Sequence, residues 1–181
     1  MPESVYLLRN GNIKAMASYN RRYFAGFPSL IVEGICLDPS IQGKKVFEKI
    51  TDLVIGKECF ICLRTQNPRM YKALDNYCQA IFPRFNCFSV SPKGLFLPDF
   101  IRSILEEFAS YLGCDINDKG VIKGYYRGLF YGEEPKHSTV SEFFKEGLKM
   151  DLFKGDAVLA IGLHHLEHFP EDIFEKSGGC W

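Results

Sequence analysis

The chain has 181 residues, of which 46% are hydrophobic and 24% charged, a balance that suits one globular domain with a single sizeable core. Its 22 Lys and Arg match its 22 Asp and Glu, which excludes a nucleic-acid or membrane-surface protein held by net charge, so any anion site has to be local. No stretch approaches the roughly 20 apolar residues of a membrane-spanning helix, and no basic start followed by an apolar run suggests a leader. A cytoplasmic protein is expected.

In chain order, residues 5–9 and 13–19 are apolar runs on either side of Asn10-Gly11-Asn12, and an Asn-Gly between two such runs predicts a β-hairpin. Residues 20–28 are polar and aromatic and are expected to be a strand end followed by a loop. Residues 29–37 are β-branched and apolar with one acid, Glu33, among them. Asp38-Pro39-Ser40-Ile41-Gln42-Gly43-Lys44-Lys45 breaks that strand, and Val46, Phe47, Ile50, Leu53 and Val54 follow at helical spacing. A helix that starts where a strand ends presents unpaired N–H groups and the positive end of a dipole. The N–H groups from Gly43 to Phe47 are thus expected to form a concave anion nest, with Lys44 and Lys45 adding charge; the alternative is an ordinary polar turn with its lysines in water.

Gly56 and Lys57 stop the first helix, and residues 59–65 form the next strand. Pro68 suits the first turn of a second helix, which runs to about residue 80 with Met70, Leu74, Tyr77 and Ile81 in period and ends before Pro83. Two successive β–α units call for a parallel or splayed strand pair with helices on its face. Residues 84–97 read as loop with short extended pieces. Phe100, Ile101, Ile104, Leu105, Phe108 and Leu112 define a helical face closed by Gly113. Residues 121–131 read as strand or lid-like loop, Thr139-Val140-Ser141-Glu142 as a capping box opening a helix to about residue 148, and residues 156–162 as a final strand. No internal repeat or low-complexity linker divides the chain, which reads as one domain over residues 1–181.

Three other patterns carry chemistry on paper. The seven cysteines are odd in number and lie among apolar neighbours, so reduced, buried thiols are expected. Cys59 and Cys62 make a C-x-x-C, but residues three apart on a strand face opposite ways and cannot easily share a metal or a disulfide. His164-His165-Leu166-Glu167-His168 spells the inverted-zincin pattern H-x-x-E-H. That chemistry needs a distant downstream carboxylate, and only residues 169–181 follow, so an exposed polar turn is the expectation and no metal is assigned. Tyr125-Tyr126-Arg127 with Phe130 and Tyr131 could stack bases, yet with a neutral chain and no basic stripe a packing role is favoured.

Residues 37–47 resemble the acetyl-coenzyme A signature of the GNAT superfamily of N-acetyltransferases, in which an apolar residue, a proline and a Q/R-x-x-G-x-G/A run open a helix. Asn67-Pro68-Arg69-Met70-Tyr71 resembles that superfamily's next motif. The resemblance covers about residues 5–81, with core motifs over residues 30–81. It implies an α+β fold with a central mixed, mostly antiparallel sheet flanked by helices. It also implies acetyl transfer from acetyl-coenzyme A to a primary amine of an unidentified acceptor, with neither nucleic acid nor membrane as partner. In the family the two strands splay and the pantetheine arm enters between them near backbone groups of the first. By that likeness, Ile35, Leu37, Gln42, Gly43, Lys44, Lys45, Val46, Phe47 and Asn67 contact the coenzyme, Glu33 takes the amine proton, and Tyr71 protonates the leaving thiolate. Outside the resemblance, Glu33 would be a solvent-facing strand acid and Tyr71 a packing residue. Lys45 and Phe47 stand where the pattern has small residues, which keeps a non-catalytic binding or assembly module as the second expectation. Only residues 1–28 precede this strand, whereas the family normally has a strand and two helices before the hairpin. An abbreviated N-terminus is therefore expected, and a homodimer would complete the acceptor pocket.

Overall fold

A computed structural model describes residues 2–84, 99–130 and 132–164. Its strands are β1 (Ser4–Asn10), β2 (Asn12–Phe24), β3 (Phe27–Leu37), β4 (Phe60–Thr65), β5 (Ala80–Phe82), β6 (Val121–Ile122) and β7 (Ala157–Leu163). The helices are α1 (Val46–Asp52), α2 (Pro68–Tyr77), α3 (Asp99–Leu112) and α4 (Val140–Glu142), the last continuing into a π-helical turn over Phe143–Gly147. The strands form one mixed sheet in the order β1-β2-β3-β4-β7-β5. β6 joins the edge of β7 that β5 also uses, near its opposite end. Among the described residues only β3 and β4 run parallel, and every other pair is antiparallel. The expected α+β class with a mostly antiparallel sheet is what the described residues form. No described helix is long and apolar enough to cross a membrane.

Alternation along the central strands builds two cores. Leu30 and Val32 of β3, Ile61 and Leu63 of β4, and Val158 and Ala160 of β7 face one side. There they meet Val46, Phe47 and Ile50 of α1, Tyr71 and Leu74 of α2, and Val140, Phe143 and Phe144. Ile31, Phe60, Cys62, Leu159, Ile161 and Leu163 face the other side and meet Ile101, Ile104, Leu105 and Phe108 of α3. Those four α3 side chains are at most 1% exposed, and burying each contributes about 1.5–3 kcal/mol before entropy is counted. On the α2 side, Gly162 is required because a Cβ there would collide with the Cys78 sulfur.

Several local expectations are corrected. Residues 20–24 extend β2, and a tight turn at Ala25 and Gly26, both with positive φ, leads straight into β3; aromatic residues at 23, 24 and 27 suit a sheet better than a loop. The second helix ends at Tyr77, and residues 80–82, expected at its tail and beyond, pair with β7 as β5. Thr139 makes no side-chain cap; the N–H groups of Thr139 and Val140 turn instead to His137 Nδ1, at 3.3 and 3.4 Å. Of the described residues 121–130, only Val121 and Ile122 are strand and the following residues turn repeatedly. Cys59 lies just before β4, so it packs in the same core as Cys62 and not on the opposite face. Burial pushes both thiols up. The loop expected over residues 85–97, the Tyr131 ring, and residues 165–168 of the histidine pattern lie outside the described residues. His164, at the end of β7, stacks on Tyr77 with ring centroids 4.7 Å apart. Among the described residues no group of His, Cys, Asp or Glu side chains could hold a metal.

Candidate functional site

The site begins with a fault in the sheet. β2 and β3 pair Ser18 with Gly34 and then Tyr19 with Val32, leaving Glu33 as an extra residue. Such a bulge bends its strand and increases the local twist. On the other edge, β3 pairs with β4 over only four positions, from Ser29 opposite Phe60 to Val32 opposite Leu63. Past the bulge, β3 stays with β2 as far as Leu37 opposite Ala15, while β4 ends at Thr65. The two parallel strands therefore part at Glu33.

What faces the opening follows from the ladder pattern. Asp38 N–H donates to Lys14 O at 2.8 Å, which makes Leu37 and Ala15 a pair without direct hydrogen bonds. Leu37 and, two residues back, Ile35 then turn their own N–H and C=O groups away from β2 and toward the opening. Side chains cap the two ends of this free edge. Gln42 Nε2 donates to Leu37 O at 3.1 Å, and Arg64 Nη2 donates to Glu33 O at 3.3 Å.

Glu33 sits in a dense polar cluster. Its Oε1 accepts from Asn20 Nδ2 at 2.8 Å and from the Tyr111 hydroxyl at 2.7 Å, and its Oε2 accepts from Arg64 Nη1 at 3.2 Å. The Glu33 and Arg64 side chains are 19% and 18% exposed. Desolvation pushes the Glu33 carboxyl up, but the Tyr111 and Asn20 hydrogen bonds and the Arg64 charge outweigh it and hold it below its ordinary 4.5. Glu33 is therefore an ionised acceptor at neutral pH rather than a base poised near 7. Arg64 lies over the Tyr125 ring, 5.4 Å from its centroid, and its carbonyl accepts from the Tyr126 hydroxyl at 3.3 Å. Its Nε is buried with no hydrogen-bond partner among the described residues.

The loop carrying Tyr125 is fixed from below. Gln66, 1% exposed, accepts from Phe130 N at 2.6 Å and donates to Gly128 O at 3.2 Å. Asp156, 2% exposed, accepts from Lys123 Nζ, Gly124 N and Asp151 N at 2.7, 3.0 and 2.8 Å. Gly155 lies so close to Gly128 that a Cβ would collide with its nitrogen. Tyr125 and Tyr126 meet edge to face and Tyr126 tilts against Phe130. The rings do not make a flat stacking surface, and one face of Tyr125 carries Arg64.

The turn after β3 is ordered by Asp38, which accepts from Ser40 N at 2.9 Å and pairs with Lys14 Nζ at 3.0 Å. The Ser40 hydroxyl, then its N–H, then Lys14 hold that carboxyl down to about 2. Gly43 and Lys45 both have positive φ, 73° and 57°, and Lys45 precedes the first turn of α1 without a side-chain cap. None of the described residues supplies an acceptor to the N–H groups of Gly43, Val46 or Phe47. Gln42, Gly43, Lys44 and Lys45 are exposed. The Val46 and Phe47 side chains point into the core, with Phe47 against Tyr77 at 6.0 Å, so the bulky ring does not cover the backbone of the turn.

The strand edge, the turn and Glu33 are thus consecutive on β3 and its exit, while the other expected residues serve the scaffold. Tyr71 is 0% exposed; its hydroxyl donates to Pro83 O and its ring packs on Phe143 and Phe144. Asn67 caps α2, its side chain accepting from Arg69 N at 2.9 Å. Sequence reasoning missed Asn20, Arg64, Gln66 and Tyr111. Arg64 carried a signal, as a cation closing the apolar run Phe60-Ile61-Cys62-Leu63 within the predicted strand. Tyr111, outward on its own helix, carried none. Compared with protein-family models, with curated proteins and with solved structures, the chain matches none of them.

Proposed function

We propose that the chain is a GNAT-like N-acetyltransferase that moves an acetyl group from acetyl-coenzyme A to an amine. The observation that carries the reading is the parting of β3 and β4 at Glu33, with a free backbone edge at Ile35 and Leu37 leading into the turn over residues 38–45. An amide-bearing arm fits such an edge because it can use the N–H and C=O groups that β4 leaves unpaired. A pyrophosphate fits the following turn, where first-turn N–H groups and exposed Lys44 and Lys45 supply donors and charge. Acetyl-coenzyme A, when bound, supplies the activated thioester. Glu33, ionised and held by Asn20 and Tyr111, receives the amine's proton directly or through water. Because its carboxyl is held low, turnover should rise with pH until the acceptor amine itself is neutral.

A second reading, a coenzyme-binding module without turnover, is favoured by one observation. Tyr71 is 0% exposed with its hydroxyl on Pro83 O, so it does not reach a leaving thiolate. Isothermal titration with coenzyme A followed by acetyl transfer to a panel of primary amines separates the two. Binding with turnover supports the enzyme, and binding without turnover supports the module. Neither heat nor thermal shift at millimolar coenzyme A would end both.

A further inference from the structure

We propose that Arg64 is the latch of the strand opening: it takes the place of the missing ladder by bonding both Glu33 O and Glu33 Oε2, and a chain-like amide ligand entering the opening displaces it. A normal parallel pair would continue backbone to backbone past Val32 and Leu63. Here one guanidinium spans the gap instead, with contacts of 3.3 Å to the carbonyl and 3.2 Å to the carboxylate. Both are longer than the roughly 2.7–2.9 Å of charge-assisted bonds.

The geometry argues for a contact that can open. Arg64 already has a second contact in the same arrangement, since its guanidinium carbon lies over the Tyr125 ring at 5.4 Å. A cation on an aromatic face keeps part of its stabilisation when it leaves a carboxylate. Its buried Nε has no hydrogen-bond partner among the described residues, so the closed arrangement, held by Glu33 and the Tyr125 ring, does not fully satisfy the side chain. Glu33, in contrast, is pinned by Asn20 and Tyr111 whether or not Arg64 is present. Opening therefore moves one long side chain and leaves the carboxylate in place. With Arg64 gone, the carboxylate also loses a positive neighbour and becomes the stronger proton acceptor when a ligand has arrived. Arg64 is in this sense a positioning residue that acts through Glu33.

The displaced-ligand half of this inference rests on the coenzyme reading; the latch itself does not. The test compares wild type, Arg64→Ala and Arg64→Lys, each first shown folded by circular dichroism, in titrations with coenzyme A. If binding has to break the latch, Arg64→Ala binds coenzyme A about tenfold more tightly, the worth of one net charge-assisted bond. Arg64→Lys, which cannot span both oxygens with a planar fork, falls between. An unchanged or weaker affinity in Arg64→Ala overturns the proposal, because a merely structural or ligand-binding arginine predicts that result. Should wild type not bind coenzyme A at all, the coenzyme reading fails by itself and amide hydrogen exchange judges the latch. Faster exchange in Arg64→Ala confined to residues 33–37 and 63–65 supports it, and exchange unchanged there overturns it.

Discussion

Replacing Glu33 by Gln isolates the charge at the strand opening while keeping the side chain's size. The amide oxygen can still accept from Asn20 and Tyr111, which donate at 2.8 and 2.7 Å, but the amide nitrogen turns a donor toward Arg64. The loss is then the Arg64 counter-ion. With both side chains under 20% exposed, the value lies between an exposed pair, at most about 1 kcal/mol, and a fully buried pair broken on one side, about 3–5 kcal/mol. About 2 kcal/mol is the expected destabilisation. For an m-value of about 2 kcal/mol/M it appears as a urea midpoint lower by about 1 M at neutral pH. The pH dependence fixes the cause. The folded carboxyl is held below its ordinary 4.5, so its stabilisation is fully present above that value and is lost as pH falls through the lowered folded value. The gap between wild type and Glu33→Gln should thus be flat from about pH 6 to 8 and narrow as pH drops below about 4.5. A gap that persists unchanged at low pH, or one under about 0.5 kcal/mol at neutral pH, would refute the charge argument and leave Glu33 as a spacer.

Three further perturbations test neighbouring parts of the structure. Lys45 holds a left-handed backbone at φ 57°, so Lys45→Gly should raise stability by up to about 1 kcal/mol in urea melts; a lower midpoint would mean that the Lys45 side chain supports the turn. Tyr71→Phe removes the bond to Pro83 O and should lower stability by about 1 kcal/mol while sparing any acetyl transfer. A rate loss of about a hundredfold would restore Tyr71 as the proton donor. Gln66→Ala removes the Gln66 bonds to Phe130 N and Gly128 O and should destabilise by about 2 kcal/mol. Limited proteolysis should then cut within residues 123–130, and an uncut loop would assign its order to Asp156 and Gly155 alone.

Much of the sheet was legible because period-two runs and turn residues act locally. Asn10-Gly11-Asn12 marked the first hairpin, and Gly113 marked the end of α3 where its φ is 67°. β5 was not legible: Ile81 continues the helical spacing of Met70, Leu74 and Tyr77, and only the open edge of β7, distant in sequence, draws residues 80–82 into the sheet. The site divides in the same way. Glu33 and the turn over residues 38–45 could be singled out because an acid inside an apolar strand and a polar break before a helix are local anomalies. The partners of Glu33 lie 13, 31 and 78 positions away, and no window of sequence brings Asn20, Arg64 and Tyr111 together. That is also why Tyr71 looked available: its spacing from Asn67 is local, whereas Pro83, Phe143 and Phe144, which bury it, are not.

Glu33 is both the bulge that parts the strands and the carboxylate that the chemistry would use, so a single substitution there cannot assign its role. Removing its charge would be expected to abolish proton transfer and, through Arg64, to loosen the opening. The two consequences differ in what they do when Arg64 is already absent. In an Arg64→Ala background the ionic contribution of Glu33 to stability is gone, and Glu33→Gln should then cost little in urea, a coupling of about 1–2 kcal/mol relative to the single changes. A proton-accepting Glu33 would still lose acetyl transfer in that background, and by a similar factor. If the rate loss also vanishes in the double variant, Glu33 serves only to hold Arg64, and the opening in the sheet is a binding edge without a base.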